Sequence, residues 1–140
     1  MKIIILGAGQ VGGTLTEHLA DEQNDVTVVD SSEAALRQLQ ERLDIRTVKG
    51  DASKPTTLSE AGAEDADMLI AVTDSDEVNM LACSIAFTLY RTPTKICRIR
   101  EVDYLNEDKK LFQSGAIPVD VTISPCLLYT SDAADEWRSV

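Results

Sequence analysis

Lys2 to Leu6 read as a short apolar strand that runs straight into Gly7-Ala8-Gly9-Gln10-Val11-Gly12, and from Val11 onward Leu15 and Leu19 recur at helical spacing. A strand, a glycine-rich turn and a helix in that order constrain the fold more than any other feature of this sequence. Gly7 permits the tight turn, Gly9 lets the backbone approach a pyrophosphate with no Cβ in the way, and Gly12 allows the helix to pack closely on the strand. The free amides at the helix start, aided by its dipole, attract anionic phosphate. Glycines that serve only a tight turn would leave the rest of the sequence unconstrained. Here Asp30 closes the second predicted strand, eighteen residues beyond Gly12, where a carboxylate can accept both hydroxyls of an adenosine ribose.

Further β-branched runs alternate with helical segments along the chain. Strands are predicted at Lys2 to Leu6, Val26 to Asp30, Arg46 to Lys49, Met68 to Val72, Lys95 to Arg100 and Val119 to Ile123. Leu36, Leu39 and Leu43 repeat the amphipathic spacing of the first helix. Ser53 is placed to cap a short third helix with Pro55 in its first turn, Gly62 to stop it in the left-handed conformation, and Ser75 or Asp76 to cap a fourth. The fourth is apolar around most of its circumference, from Val78 through Met80, Leu81, Cys83, Phe87 and Leu89. It calls for burial on two sides, either between the sheet and its neighbours or at a subunit interface. Strand and helix alternating in this way, with right-handed crossovers, give an α/β fold of the Rossmann type: a doubly wound, six-stranded, mainly parallel sheet with helices on both faces.

Acidic side chains number 24 against 13 basic ones, a formal net charge of -11. That excess argues against binding to nucleic acid or to an anionic membrane surface. The apolar runs are too short to cross a bilayer or to form a secretory leader, so a cytoplasmic protein with no direct membrane insertion is expected. Cys83, Cys97 and Cys126 form no Cys-x-x-Cys pair and accompany a single histidine, His18, so reduced core thiols are expected and no metal site. From Cys126 the pattern breaks. Cys126-Leu127-Leu128-Tyr129-Thr130-Ser131 resembles the read-through translation of a sequencing-library adapter. We therefore read 1–125 as the natural domain of a longer protein and 126–140 as a non-native tail, the alternative being a genuine C-terminal helix.

Candidate ligand contacts lie where the strands end. Asp30 repels a 2′-phosphate and Ser31-Ser32 offers no arginine to hold one, which favours NAD over NADP and equally suits ATP or ADP. Asp51, after the third strand, is placed to accept from an adenine amine, or else to begin a helix with no ligand. Thr73 and Asp74 follow the fourth strand, close to the reversal of strand order; the Thr73 hydroxyl can donate to phosphate, whereas Asp74 suits a ribose hydroxyl or a solvated loop. Arg98 and Arg100 share one face of a strand that should be buried, and such charge needs a partner: a phosphate, or Asp74, Asp76 or Glu77. No catalytic set emerges, and Tyr-x-x-x-Lys is absent.

Met1 through Gly13, Val28-Val29-Asp30, Ala61-Gly62-Ala63 with Asp65-Ala66-Asp67-Met68, Ala71-Val72-Thr73, Asn79-Met80 and Ile99-Arg100 together resemble the TrkA family, the NAD-binding regulatory proteins of bacterial Trk potassium-uptake systems. The resemblance spans residues 1 to about 125 and implies an RCK N-terminal domain. It implies binding of NAD or NADH, and in some relatives ATP or ADP. It also implies a homo-oligomer that controls a membrane potassium-translocating subunit and lies at the inner face of the plasma membrane through that partner. Carried over by position, the contacts are Gly7, Ala8, Gly9, Gln10 and Val11, with Asp30, Thr73, Asp74 and Arg98. Asp74 departs from the family pattern, in which serine also occurs. The rival expectation is the cofactor-binding fragment of an NAD-dependent oxidoreductase.

Overall fold

A computed structural model of the chain describes residues 1–20, 22–105, 110–113 and 115–124. The tail assigned to 126–140 lies outside them. Six strands form one sheet: β1 (Lys2–Leu6), β2 (Asp25–Asp30), β3 (Arg46–Lys49), β4 (Met68–Ala71), β5 (Thr94–Arg98) and β6 (Val121–Ile123). Their order is β3-β2-β1-β4-β5-β6, and every neighbouring pair is parallel. This is the doubly wound arrangement expected, and the order reverses between β1 and β4.

Alternation along β1 explains why both faces need cover. Ile3 and Ile5 join Val26, Val28 and Ile70 in one core, packed under Leu15 and Leu19 of α1 (Gln10–Ala20) and Leu36 and Leu39 of α2 (Glu33–Arg42). Ile4 and Leu6 join Leu69 and Cys97 in a second core, under Leu58 of α3 (Pro55–Glu60) and Met80, Ala82 and Cys83 of α4 (Asp76–Ile85). Two short helices follow β5, α5 (Val102–Leu105) and α6 (Lys110–Gln113). Cys83 and Cys97 are buried free thiols, as expected, and His18 is exposed.

Several boundaries and partners differ from expectation. Ser53 does not cap α3: Lys54 holds that position with no side-chain bond, while the Ser53 amide and hydroxyl both donate to Asp51 Oδ1. Gly62 does take the left-handed conformation, φ 91°. For α4, the cap is Ser75, whose hydroxyl oxygen accepts from the Val78 amide. β5 ends at Arg98 rather than Arg100, because the amides of Arg100 and Glu101 turn to donate to the carboxylate of Asp76. Arg100 is thereby exposed, and its guanidinium hydrogen-bonds the Asp74 carbonyl instead of sharing a buried strand face with Arg98.

Among the described residues the fourth helix buries one side. Asn79, Met80, Ala82 and Cys83 are buried, and the chain continues into a π-helical turn, Ala86–Tyr90. Leu81, Phe87 and Leu89 are 49%, 44% and 57% exposed. Of the two expectations for this helix, burial between sheet and neighbours accounts for the first set alone.

Candidate functional site

The carboxyl ends of the strands open into a cavity of about 750 Å³, within the roughly 300–1,000 Å³ of small-molecule sites. Its walls are the glycine turn after β1, the β2–α2 connection, the turn after β3, the β4–α4 connection and Arg98. Gly7, Ala8, Gly9, Gln10, Val11, Asp30, Asp51, Thr73, Asp74 and Arg98, all singled out in the sequence, line it together. Gly12 alone does not. A Cβ there would lie 1.9 Å from the Gly7 carbonyl oxygen, so its role is helix-on-strand packing.

The glycines divide their work. Gly7 has φ 113°, donates its amide to Val29 O at 2.7 Å, and has no room for a side chain, since a Cβ would meet Val72 O at 2.7 Å. Gly9 is different: a Cβ there would meet nothing within 4 Å. The space it leaves belongs to the cavity, which is how a backbone looks when a ligand is to approach it. Gln10, Val11 and Gly12 supply the first-turn amides of α1, which have no acceptor within their own helix.

Asp30, half-buried at the end of β2, braces the site. Its Oδ2 accepts from the Ala8 amide at 2.7 Å and its Oδ1 from the Ser32 amide at 2.7 Å. Each carboxylate oxygen keeps a second lone pair for a ligand hydroxyl. The Ala8 amide is thus already committed. Asp51 sits exposed at the rim, and the Ser53 hydroxyl and amide hold its carboxyl below the ordinary aspartate range.

At the opposite wall the Thr73 hydroxyl donates to Asn79 Oδ1 at 2.6 Å, so its proton is directed away from the cavity in this state. Asp74 is exposed. Arg98 is half-buried, forms no ion pair among the described residues, and its Nε is buried with no hydrogen-bond partner. The salt bridges to Asp74, Asp76 or Glu77 that would have neutralised it are not made: Asp76 spends its carboxylate on backbone amides. A buried donor without an acceptor is costly, and the residue that carries this one lines the cavity.

From sequence alone Asn79 had no place in the site, and Asp76 only that of a helix cap or a partner for the arginines. The available signal was a lone amide within an apolar helical run, which must find partners if it is buried.

A sequence profile of the TrkA-N domain matches residues 3–125. The chain belongs to the TrkA-N domain family. Over 131 residues it is 60% identical to the Trk system potassium uptake protein TrkA of Vibrio alginolyticus, an alignment that covers 94% of this chain and 29% of that protein. The chain spans less than a third of the length of such curated relatives. Its fold is similar to that of the TrkA-N domain of the inner membrane protein ybaL from Escherichia coli, with TM-score 0.76 at 19% identity, over 99% of this chain and 94% of that one. The GsuK channel bound to NAD contains a similar fold, with TM-score 0.72 at 21% identity, over 90% of this chain and 21% of that one. Within this TrkA-N domain, then, the glycine turn, Asp30 and the β4–α4 connection surround one cavity, and Arg98 brings to it a cation with no ion pair among the described residues.

Proposed function

We propose that the chain is the nucleotide-sensing lobe of a regulatory subunit that controls potassium uptake through a membrane Trk-type transporter. Its ligand is NAD or NADH, with ATP or ADP as alternatives that share the same adenosine half. The observation that carries this reading is Arg98, with an unpartnered Nε, in the wall of a cavity whose other wall is a glycine turn with open space at Gly9. The relatives named as Trk potassium-uptake proteins supply the transport context, and the NAD-bound GsuK structure supports the ligand class.

In this reading the first-turn amides of α1 hold the pyrophosphate, Asp30 accepts from the ribose hydroxyls, Asp51 lies near the adenine, and Arg98 pairs with phosphate. Asp30 disfavours a 2′-phosphate, so NADP binds poorly. Among the described residues the cavity's ionisable side chains are Asp30, Asp51, Asp74 and Arg98, none of them a tyrosine, lysine, histidine or cysteine of the kind that moves a proton to a carbonyl near neutral pH. We therefore assign no catalytic residue. Regulation needs only that the nucleotide bind one conformation more tightly than another.

The exposed apolar residues of α4 and the π-helical turn after it, Leu81 with Phe87 and Leu89, support a homo-oligomer. No described helix is long and apolar enough to cross a membrane. The proposed location is the cytoplasmic face of the plasma membrane, through the transporter.

A thermal-shift titration with NAD, NADH, NADP, ATP and ADP tests the ligand. At 100 times its dissociation constant a ligand adds about 2.7 kcal/mol, a rise of several degrees in the midpoint. Asp30→Ala should abolish the rise, and no shift with any nucleotide overturns the assignment. Leu81→Glu with Leu89→Glu should lower the mass in sedimentation equilibrium; an unchanged mass removes α4 from the interface. Turnover of NADH with alcohol or carbonyl substrates would establish the oxidoreductase reading instead.

A further inference from the structure

The hydrogen-bonded ladder between β4 and β5 stops at the pair Ala71 and Cys97. Beyond it Thr73 and Arg98 form the cavity wall; Arg98 stays paired with Ile123 of β6, but no β4–β5 pair sets its spacing from Thr73. One side chain bridges them. Asn79, fully buried in the second turn of α4, accepts at Oδ1 from the Thr73 amide at 2.9 Å and the Thr73 hydroxyl at 2.6 Å. Its Nδ2 donates to Thr73 O at 3.2 Å and to Arg98 O at 2.9 Å. Both lone pairs and both N–H groups are in use, so the amide has one orientation only. It acts as a further rung of the ladder, supplied by a helix. A second α4 side chain, Asp76, takes the amides of Arg100 and Glu101 immediately after. The backbone that carries Arg98 is therefore held from both sides of the residue, while its guanidinium Nε is left without a partner in the cavity wall.

We infer that Asn79 is a positioning residue of the nucleotide site, holding Thr73 and Arg98 so that the Arg98 guanidinium meets a ligand's phosphate. This rests on the nucleotide reading above and adds a division within the site. The phosphate end depends on α4 through Asn79, whereas the adenosine end depends on Asp30, which is braced by the glycine turn and the β2–α2 connection. A phosphate bound to Arg98 then pulls on a backbone tied directly to α4.

The test is calorimetric titration of the full 140-residue chain with ADP, and NMR titration with adenosine, which lacks phosphate. Asn79→Ser keeps one donor and one acceptor, and Asn79→Asp keeps the shape while losing both donated bonds. Either folded variant should bind ADP roughly ten- to a hundredfold more weakly, as loss of a hydrogen-bonded charge contact does. Adenosine affinity should change by less than about twofold, since its contacts are distant and independent. In an Arg98→Gln background the substitution at 79 should add no further loss for ADP, because the two act through one contact. Equal losses for ADP and adenosine, additive losses with Arg98→Gln, or unfolding of the chain with both substitutions overturn the positioning role. Failure of the unaltered chain to bind any of the nucleotides overturns the reading beneath it and this inference with it.

Discussion

Gly9 and Gly12 stand three positions apart in one motif, yet the chain needs them for opposite reasons. A side chain at Gly12 has nowhere to go, with the Gly7 carbonyl oxygen 1.9 Å from its Cβ, whereas one at Gly9 projects into open space. Gly12→Ala should therefore cost the fold several kcal/mol, on the order of the largest single-residue effects. Gly9→Ala should leave stability within about 0.5 kcal/mol while abolishing nucleotide binding, because its methyl occupies the approach of the phosphates. Paired urea unfolding and nucleotide titrations separate the two; a Gly9→Ala chain that binds normally refutes the role given to that turn. That Gly12 packs helix on strand was legible in the sequence, since a strand-turn-helix motif is local and its sterics are those of neighbouring residues. The bracing role of Asp30 was only half legible. That its carboxylate ends the second strand follows from spacing, but its bonds to the Ala8 and Ser32 amides depend on β1 and β2 lying side by side.

At the scale of elements, α4 shows how far periodicity reaches. Its apolar circumference announced a helix with more than one dry face, and either Ser75 or Asp76 could begin it. The structure gives the cap to Ser75 and turns Asp76 to the amides that end β5. Ser75→Ala should thus cost about 1 kcal/mol, an ordinary N-cap loss, read as a shift in the urea midpoint. Asp76→Ala removes a buried carboxylate and with it the charge-assisted bonds to the Arg100 and Glu101 amides, and should cost more, about 1.5–3 kcal/mol. Equal effects would refute this division of labour. The same contact explains why β5 is shorter than its sequence suggests: Ile99-Arg100 has the composition of a strand, but a carboxylate from another element claims its donors. Ser53 failed as a cap for a related reason, since Asp51 two residues earlier took both its amide and its hydroxyl.

For the whole molecule, two cores on either side of one sheet make stability a shared property, and the buried thiols report on it. Contact with the Cys83 thiol, together with burial between α4 and β5, pushes the Cys97 thiol far above the ordinary cysteine range. In the unfolded chain that thiol ionises above about pH 8.5. The folded state excludes the thiolate, so its contribution is full below that pH and is lost as pH rises above it, by about 1.4 kcal/mol per pH unit. Urea unfolding between pH 7 and pH 10 should show this decline, and Cys97→Ala should flatten it; an unchanged slope would place the cause elsewhere. The same burial should keep Cys83 and Cys97 unlabelled by thiol reagents until the chain unfolds.

What the sequence determined by itself was the alternation of strand and helix, the two-sided core and the glycine turn. Each of these rests on periodicity and on sterics between near neighbours. Tertiary structure alone decided where the polar groups go. Asn79 reaches Arg98 nineteen residues away, Asp76 reaches Arg100 and Glu101, and Arg98 is left with an unpartnered donor in the cavity wall. A hydrogen bond is satisfied by whichever partner the fold brings within about 3 Å, and that partner is set by strand order and crossover, to which the residue's own neighbourhood in the chain is blind.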